Sequence, residues 1–334
     1  QTVPARVSEV GVFKFKVEPA PLSYIGKTIP GGESLPVGRF YPDTFKVVVD
    51  PGELKAECSV STPFVYTGQP FGWQVAPSLT IEPVSVQGTR TLNYTQQGFR
   101  NLSAGNVIRA FPGLDSTAVD QVGAAMGLQV ADDAGALNVL APGLLGYTYS
   151  MADTFTYIRN AKAQIAPFAP DMEFIVSSII DTDMVSANAA PYTFAPVAGF
   201  DMRFGRFVME NVYGPETVSA LSMPFRLEYW NGSGFLINDA DSCTVWDTAT
   251  IINTAHHHSL DSSAPASGLF AAGNAPPLRL VPDGTPGDDR LTWTIDTWLN
   301  YDWNGDGIAE APEGLATFGV YRGHDRVIYW HEVH

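Results

Sequence analysis

The chain reads as an all-β protein built from two immunoglobulin-like antiparallel β-sandwich domains, three being the alternative count, with an Ala/Gly-rich excursion at about residues 104–146. Three observations predict this class. Apolar and polar residues alternate over many short stretches, the 31 glycines and 25 prolines punctuate those stretches, and Thr, Ser, Tyr and Trp are plentiful. Alternation with period two puts successive side chains on opposite faces of a strand, and regularly spaced short strands suit packed antiparallel sheets. At 334 residues with 45% hydrophobic content, the chain is long enough for two ordinary cores. The expected domains are 1–190, a sandwich with the excursion inserted, and 199–334, a sandwich carrying a calcium loop.

Taken in order, Val10–Val17 alternates after Gly11, Phe45–Val49 is a second strand, and Phe71–Val75, Leu79–Val86 and Thr89–Thr95 continue the pattern. From Ala104 to Gly146 the composition shifts to Ala, Gly and Leu. Asp115–Met126 is the only respectable short-helix candidate, with Asp115 or Ser116 placed to cap it. Strands resume at Tyr147–Ser150, Phe155–Arg159, Lys162–Ala166 and Glu173–Ile180. Ser186–Ala198, rich in Ala and Pro and low in charge, is the best linker. Beyond it, strands are expected at Met202–Val212, Met223–Trp230, Gly234–Asn238, Thr244–Trp246, Leu278–Val281, Arg290–Asn300, Ala316–Val320 and Val327–Val333. The long connection Thr254–Pro277 holds His256, His257 and His258 and reads as a solvated flexible loop.

Charge excludes some partners. Nineteen basic against 35 acidic residues give 19 − 35 = −16, which repels nucleic-acid phosphates and anionic lipid surfaces. No run of 18 apolar residues offers a membrane span. The first residues lack a charged region followed by an apolar one, and the chain begins without Met; it reads as a processed or excised piece, so export stays open. The two cysteines, Cys58 and Cys243, are compatible with one disulfide or with two buried thiols.

The sharpest chemical signal is Asp302-Trp-Asn-Gly-Asp-Gly-Ile-Ala-Glu-Ala-Pro-Glu313, which matches the twelve-residue calcium loop D-x-[DN]-x-[DN]-G-x5-E. Calcium takes six to eight oxygens. Asp302, Asn304 and Asp306 would supply side chains, Ile308 its carbonyl, Glu310 a contact through water, and Glu313 a bidentate carboxylate, while Gly307 permits the turn. A helical hand needs a helix running on from the loop, but Pro312 forbids it and both flanks, Leu291–Leu299 and Ala316–Tyr321, alternate as strands. The expectation is a structural Ca2+ site set between β-strands.

Weaker candidates follow the same chemistry. Asp239 with Asp241, and Asp181 with Asp183, alternate oxygens that could join a calcium site, although such pairs are more often plain turns. Adjacent histidines in an extended loop point apart, so one ion rarely takes all of His256–His258. Trp303, at loop position 2, is the best exposed aromatic and a candidate ring for stacking on a sugar. Asn93, Asn101 and Asn231 fit the glycosylation pattern. No hydrolase, zinc-protease, phosphate-loop or Cys-His signature is present, and no enzyme activity is expected.

Five strings in the second half go beyond generic sandwich text: Glu210–Gly214, Arg226–Phe235, Asn238–Thr244, Trp298–Gly307 and Ala316–Trp330 with His331 and Glu332. With Val10–Phe13, Val37–Asp43, Phe64–Phe71 and Leu92–Thr95 in the first half, they resemble the C-terminal region of MshQ-like proteins, encoded with the mannose-sensitive haemagglutinin type IV pilus machinery. The resemblance covers nearly the whole chain. It implies an extracellular, non-catalytic structural or adhesive segment of a surface protein, with pilus or cell-surface proteins and surface glycans as partners and no nucleic acid or membrane insertion. It also implies a Cys58–Cys243 disulfide, since export is oxidising. Two rivals are a carbohydrate-binding or glycan-hydrolysing module and a self-assembling filament subunit.

Overall fold

The computed structural model describes residues 6–96, 98–253 and 257–319. Short strands and four single 3-10 turns make up its elements, so the all-β class holds. Among the described residues no helix is long and apolar enough to cross a membrane. The expected strand Val327–Val333, with Tyr329 and Trp330, and His256 of the triplet lie outside the described residues.

The first half is organised on a four-stranded antiparallel sheet in the order Ala136–Ala141, Leu144–Thr148, Ser78–Val84, Thr44–Asp50. Val47 faces Ile81 across it, and Leu79 faces Tyr147. Alternation works as the sequence implies: Phe45, Leu79, Ile81, Leu145 and Tyr147 are buried while Val48 is open to solvent. Two three-stranded sheets contribute to that core. Val107–Ala110, Phe174–Ile179 and Tyr192–Phe194 form one; Leu114–Val119, Ala125–Ala131 and Thr154–Tyr157 form the other. The core's aromatic centre is Trp73, Phe155 and Phe174, with ring centroids 4.8 and 5.4 Å from Trp73 in edge or tilted contact.

Four expectations fail here, for physical reasons. Asp115–Met126 is not helical but spans two antiparallel strands, with Asp115 opposite Met126. Asp115 caps as expected, yet the N–H groups it accepts, from Thr117 and Ala118, belong to an irregular strand with a register shift. Burial has a strand's period, Met126 and Leu128 inward and Gly127 between them. Residues 104–146 are therefore no excursion: Val107, Ala118, Met126, Leu128 and Leu145 belong to the first core. Nor is Ser186–Ala198 a free tether. Phe45 N–H donates to Ser186 O, Leu54 N–H donates to Val197 O, and Tyr192–Phe194 pairs with Phe174–Val176. Lys162–Ala166 forms no strand, although Ala163 and Ile165 are buried.

The second half has its own core of Phe207, Phe225, Phe270, Leu280, Leu291 and Trp293, with Phe225 and Trp293 centroids 4.8 Å apart. Its largest sheet runs Val212–Gly214, Glu313–Phe318, Gly287–Trp293, Ile251–Asn253. The connection over 257–277 is more ordered than its composition suggests: His258–Leu260 pairs with Leu278–Pro282, and Ser267–Leu269 pairs with Val245–Asp247.

One strand joins the halves. Phe64–Tyr66 runs parallel to Asp201–Arg203, and its side chains alternate between cores, Val65 into the first, Phe64 and Tyr66 into the second. Beside it the Cys58–Cys243 disulfide bridges 185 residues of sequence.

Candidate metal centre

The loop after Trp298 closes on an antiparallel bridge. Tyr301 N–H donates to Glu310 O at 3.1 Å and Glu310 N–H to Tyr301 O at 3.0 Å. Within it, Asp302 accepts the Gly305 and Gly307 N–H groups, one on each carboxylate oxygen, both at 2.7 Å. Asn304 Oδ1 accepts from Asp306 N–H at 2.8 Å, and Asp306 Oδ1 from Ile308 N–H at 2.7 Å. Each is a side chain standing in for a backbone turn acceptor. Their succession coils the chain until carboxylate oxygens of Asp302, Asp306 and Glu310 lie within 4.8 Å of one another. Gly307, at φ +96°, takes a conformation L side chains rarely adopt, and a Cβ there would lie 2.1 Å from Lys162 Cε.

The donor set fits calcium. Oxygens sharing one ion at its usual contact distance are at most about 5 Å apart, and hard carboxylate and amide oxygens are what that ion selects. Asn304 Nδ2 donates to Glu310 Oε1 at 2.6 Å and to Asp306 Oδ2 at 3.3 Å, tying the acidic groups together. Ile308 lies on the outside of the loop, its side chain 66% exposed.

Glu313 departs from the sequence pattern. Its carboxylate accepts from Arg290 Nη1 at 3.0 Å and from Thr292 Oγ1 at 3.2 Å, so it closes an ion pair on the neighbouring strand and is not in the acidic group. In a helical hand the closing Glu is carried back toward the ion by the helix. Here the chain re-enters a sheet, and extended backbone sets Glu313 about 10 Å along from Glu310. Glu310, expected to act through water, takes its place beside Asp302 and Asp306.

The other acidic candidates are spent on protein donors. Asp181 Oδ1 accepts from Asp183 N–H and Val185 N–H, and its Oδ2 from the Tyr94 hydroxyl. Asp183 turns instead to Arg39, 2.7 Å away, and to Asn101. Asp241 accepts from Cys243 N–H, Thr244 N–H, the Thr244 hydroxyl and the Tyr66 hydroxyl, while Asp239 faces solvent. Neither pair converges, because each buried carboxylate anchors a turn. His258 Nδ1 lies 2.5 Å from Asp289 Oδ2 with its side chain enclosed, and His257 Nδ1 lies 3.0 Å from Thr285 Oγ1. The His257 N–H also donates to Asp289 Oδ2 at 3.2 Å, so the described part of the triplet is held by neighbours and does not form the flexible loop expected.

Trp303 is 43% exposed. Tyr301 holds it edge-on at 5.0 Å, and the Arg206 guanidinium lies 5.2 Å from its centroid. Arg206 is itself fixed by Glu228, at 2.6 and 2.9 Å.

Two family models cover the chain, DUF6701, third domain, over residues 9–201 and DUF6701, fourth domain, over residues 203–333. The chain belongs to the DUF6701 family. No curated protein matches it.

In DUF6701 terms the loop lies in the fourth domain, and third-domain residues reach it. Lys162 covers Gly307, and Gln164 Nε2 donates to the Tyr301 hydroxyl at 3.1 Å. Arg159, also of the DUF6701 third domain, donates to the carbonyls of Trp298, Gly205 and Asn300 at 2.5, 2.6 and 2.8 Å, with its guanidinium 3.8 Å above the Phe204 ring. Burial lowers the pKa of that guanidinium. Sequence reasoning missed Arg159, Lys162 and Gln164, and no local signal marks them: their partners at and before the loop, Trp298, Asn300, Tyr301 and Gly307, lie about 140 residues away.

Proposed function

We propose that this chain is a non-catalytic structural or adhesive segment of an exported, MshQ-like cell-surface protein associated with type IV pili, with the fourth-domain loop held by calcium. The observation that carries the calcium part is the convergence of Asp302, Asp306 and Glu310 within 4.8 Å on a loop closed by the Tyr301–Glu310 bridge. Carboxylates so close repel, and a divalent ion removes that repulsion while supplying the charge their turns face. When bound, the ion contributes Coulombic cross-linking only; the chain's own residues shape the loop.

Export is supported by the Cys58–Cys243 bond, which persists in oxidising compartments. The adhesive role is supported by two cores joined by a shared strand and a covalent bridge, a build suited to holding a surface in place. Its partners would be pilus or other cell-surface proteins.

Calcium titration by calorimetry and thermal melting tests the ion. A site that binds only the folded state adds about 2.7 kcal/mol at a hundredfold excess over Kd. A chelated sample with the same melting temperature as a calcium-loaded one, and no heat of binding, would refute it. The surface role is tested by protease shaving of intact cells: loss of the protein supports it, and full protection removes it.

A further inference from the structure

Beside the loop lies a cleft of about 700 Å³, within the range of ligand sites. Trp303, Asn304, Glu310, Asn211, Arg290 and Glu313 line it, the last at the head of the strand Glu313–Phe318. Two kinds of chemistry meet in this lining. Trp303 is an aromatic surface that does not swing freely, because Tyr301 and Arg206 hold it from the protein side. In the same cleft, Arg290 and Glu313 form a 3.0 Å ion pair that stays open to solvent, offering planar donor and acceptor groups together.

A sugar ring matches this pairing: one face of C–H groups for an indole, and a rim of hydroxyls that both donate and accept. One guanidinium against two carboxylates disfavours an anionic ligand. Met209, Ala311 and Leu315 also line the cleft, but its carboxylate, amide and guanidinium groups do not suit a wholly apolar ligand.

We propose that this cleft binds a neutral oligosaccharide, with Trp303 as the stacking platform and Arg290, Glu313 and Asn211 as hydroxyl partners. The proposal rests on the adhesive role given above and names its ligand class. Glu310 belongs to both the loop and the cleft, so an ion in the loop sets the wall against which the sugar lies.

The test uses the whole chain labelled with ¹⁵N. It follows the indole N–H resonances of the seven tryptophans, that of Trp303 being identified by its loss in Trp303→Phe. Cellotriose, chitotriose, mannotriose and a galactose trisaccharide are titrated to tens of millimolar, in calcium and in chelator. The expected result is a saturable shift of the Trp303 resonance with at least one sugar, and affinity weakened about tenfold in Trp303→Ala at an unchanged melting temperature. Arg290→Met is expected to weaken it as well. No shift with any of the four, or undiminished binding by Trp303→Ala, would overturn the proposal. The Gly305 and Gly307 amides report the ion separately. If they respond to calcium and no sugar binds, the cleft reading alone fails; if a sugar binds and they ignore calcium, the ion reading alone fails.

Discussion

The Tyr94 hydroxyl donates to Asp181 Oδ2 at 2.7 Å, across 87 residues of sequence. The same device occurs twice more at the same length, Tyr66 to Asp241 and Tyr157 to Asp115. In each case the aspartate accepts backbone N–H groups at the head of a turn, and a tyrosine from another segment fastens that turn to the core. Burial first, and the adjacent carboxylate second, hold the Tyr66 hydroxyl above its ordinary pKa of 10.0; the same two influences act on Tyr94 and Tyr157. All three hydroxyls therefore remain donors.

Removing one such hydroxyl is expected to be costly. Tyr94→Phe deprives Asp181 of a donor and the Leu102 N–H of its acceptor. We expect a loss of about 1–3 kcal/mol in urea unfolding, and a change within error would show that water replaces the hydroxyl.

Asp115 gives the pH dependence a sign. Burial raises its pKa, but the Asp171 N–H, the Thr117 and Tyr157 hydroxyls and the Thr117 N–H outweigh this and hold it below 3.8. A depressed folded pKa contributes stability that is complete above about the unfolded value and is lost as pH falls through the folded one. The stability gap between wild type and Asp115→Asn should be widest near neutrality and narrow in acid below pH 3.8. A gap that is constant down through that range would contradict the assignment.

Glu310 and Glu313 separate the loop seen here from its sequence pattern. Glu310→Gln is expected to abolish most of the thermal shift produced by calcium, whereas Glu313→Gln should keep it and lose only the Arg290 contact. The reverse order, measured by calorimetry and melting, would restore the helical-hand arrangement.

Cys58→Ser with Cys243→Ser opens a loop of 185 residues. Chain entropy alone assigns such a closure about 5 kcal/mol. Guanidinium unfolding should show a large fall in midpoint, with the paired core strands still forming; an unchanged midpoint would mean the bond adds nothing beyond the shared strand.

How much of this was legible follows from how far apart the cooperating residues lie. The loop at 302–310 was readable because its turns are local: each Asp or Asn serves an N–H two to five residues on. Glu313 was misplaced because its role depends on whether a helix or a strand leaves the loop. Asp115–Met126 misled for a related reason, since an aspartate that caps a helix can equally cap an irregular strand, and small residues leave a weak period. Asp181 and Asp241 were spaced like ligands, and only tyrosines 87 and 175 residues away reveal them as anchors. The all-β class was readable because alternation survives in long strands such as Ser78–Val84, Gly287–Trp293 and Glu313–Phe318.

The strand Phe64–Tyr66 gives the two domains a mechanical property that neither has alone. Drawing them apart would pull Phe64 and Tyr66 one way and Val65 the other along a single stretch of backbone. There is no hinge in such a junction. Tension between the domains would pass straight through the shared strand from one core to the other until one of them ruptures.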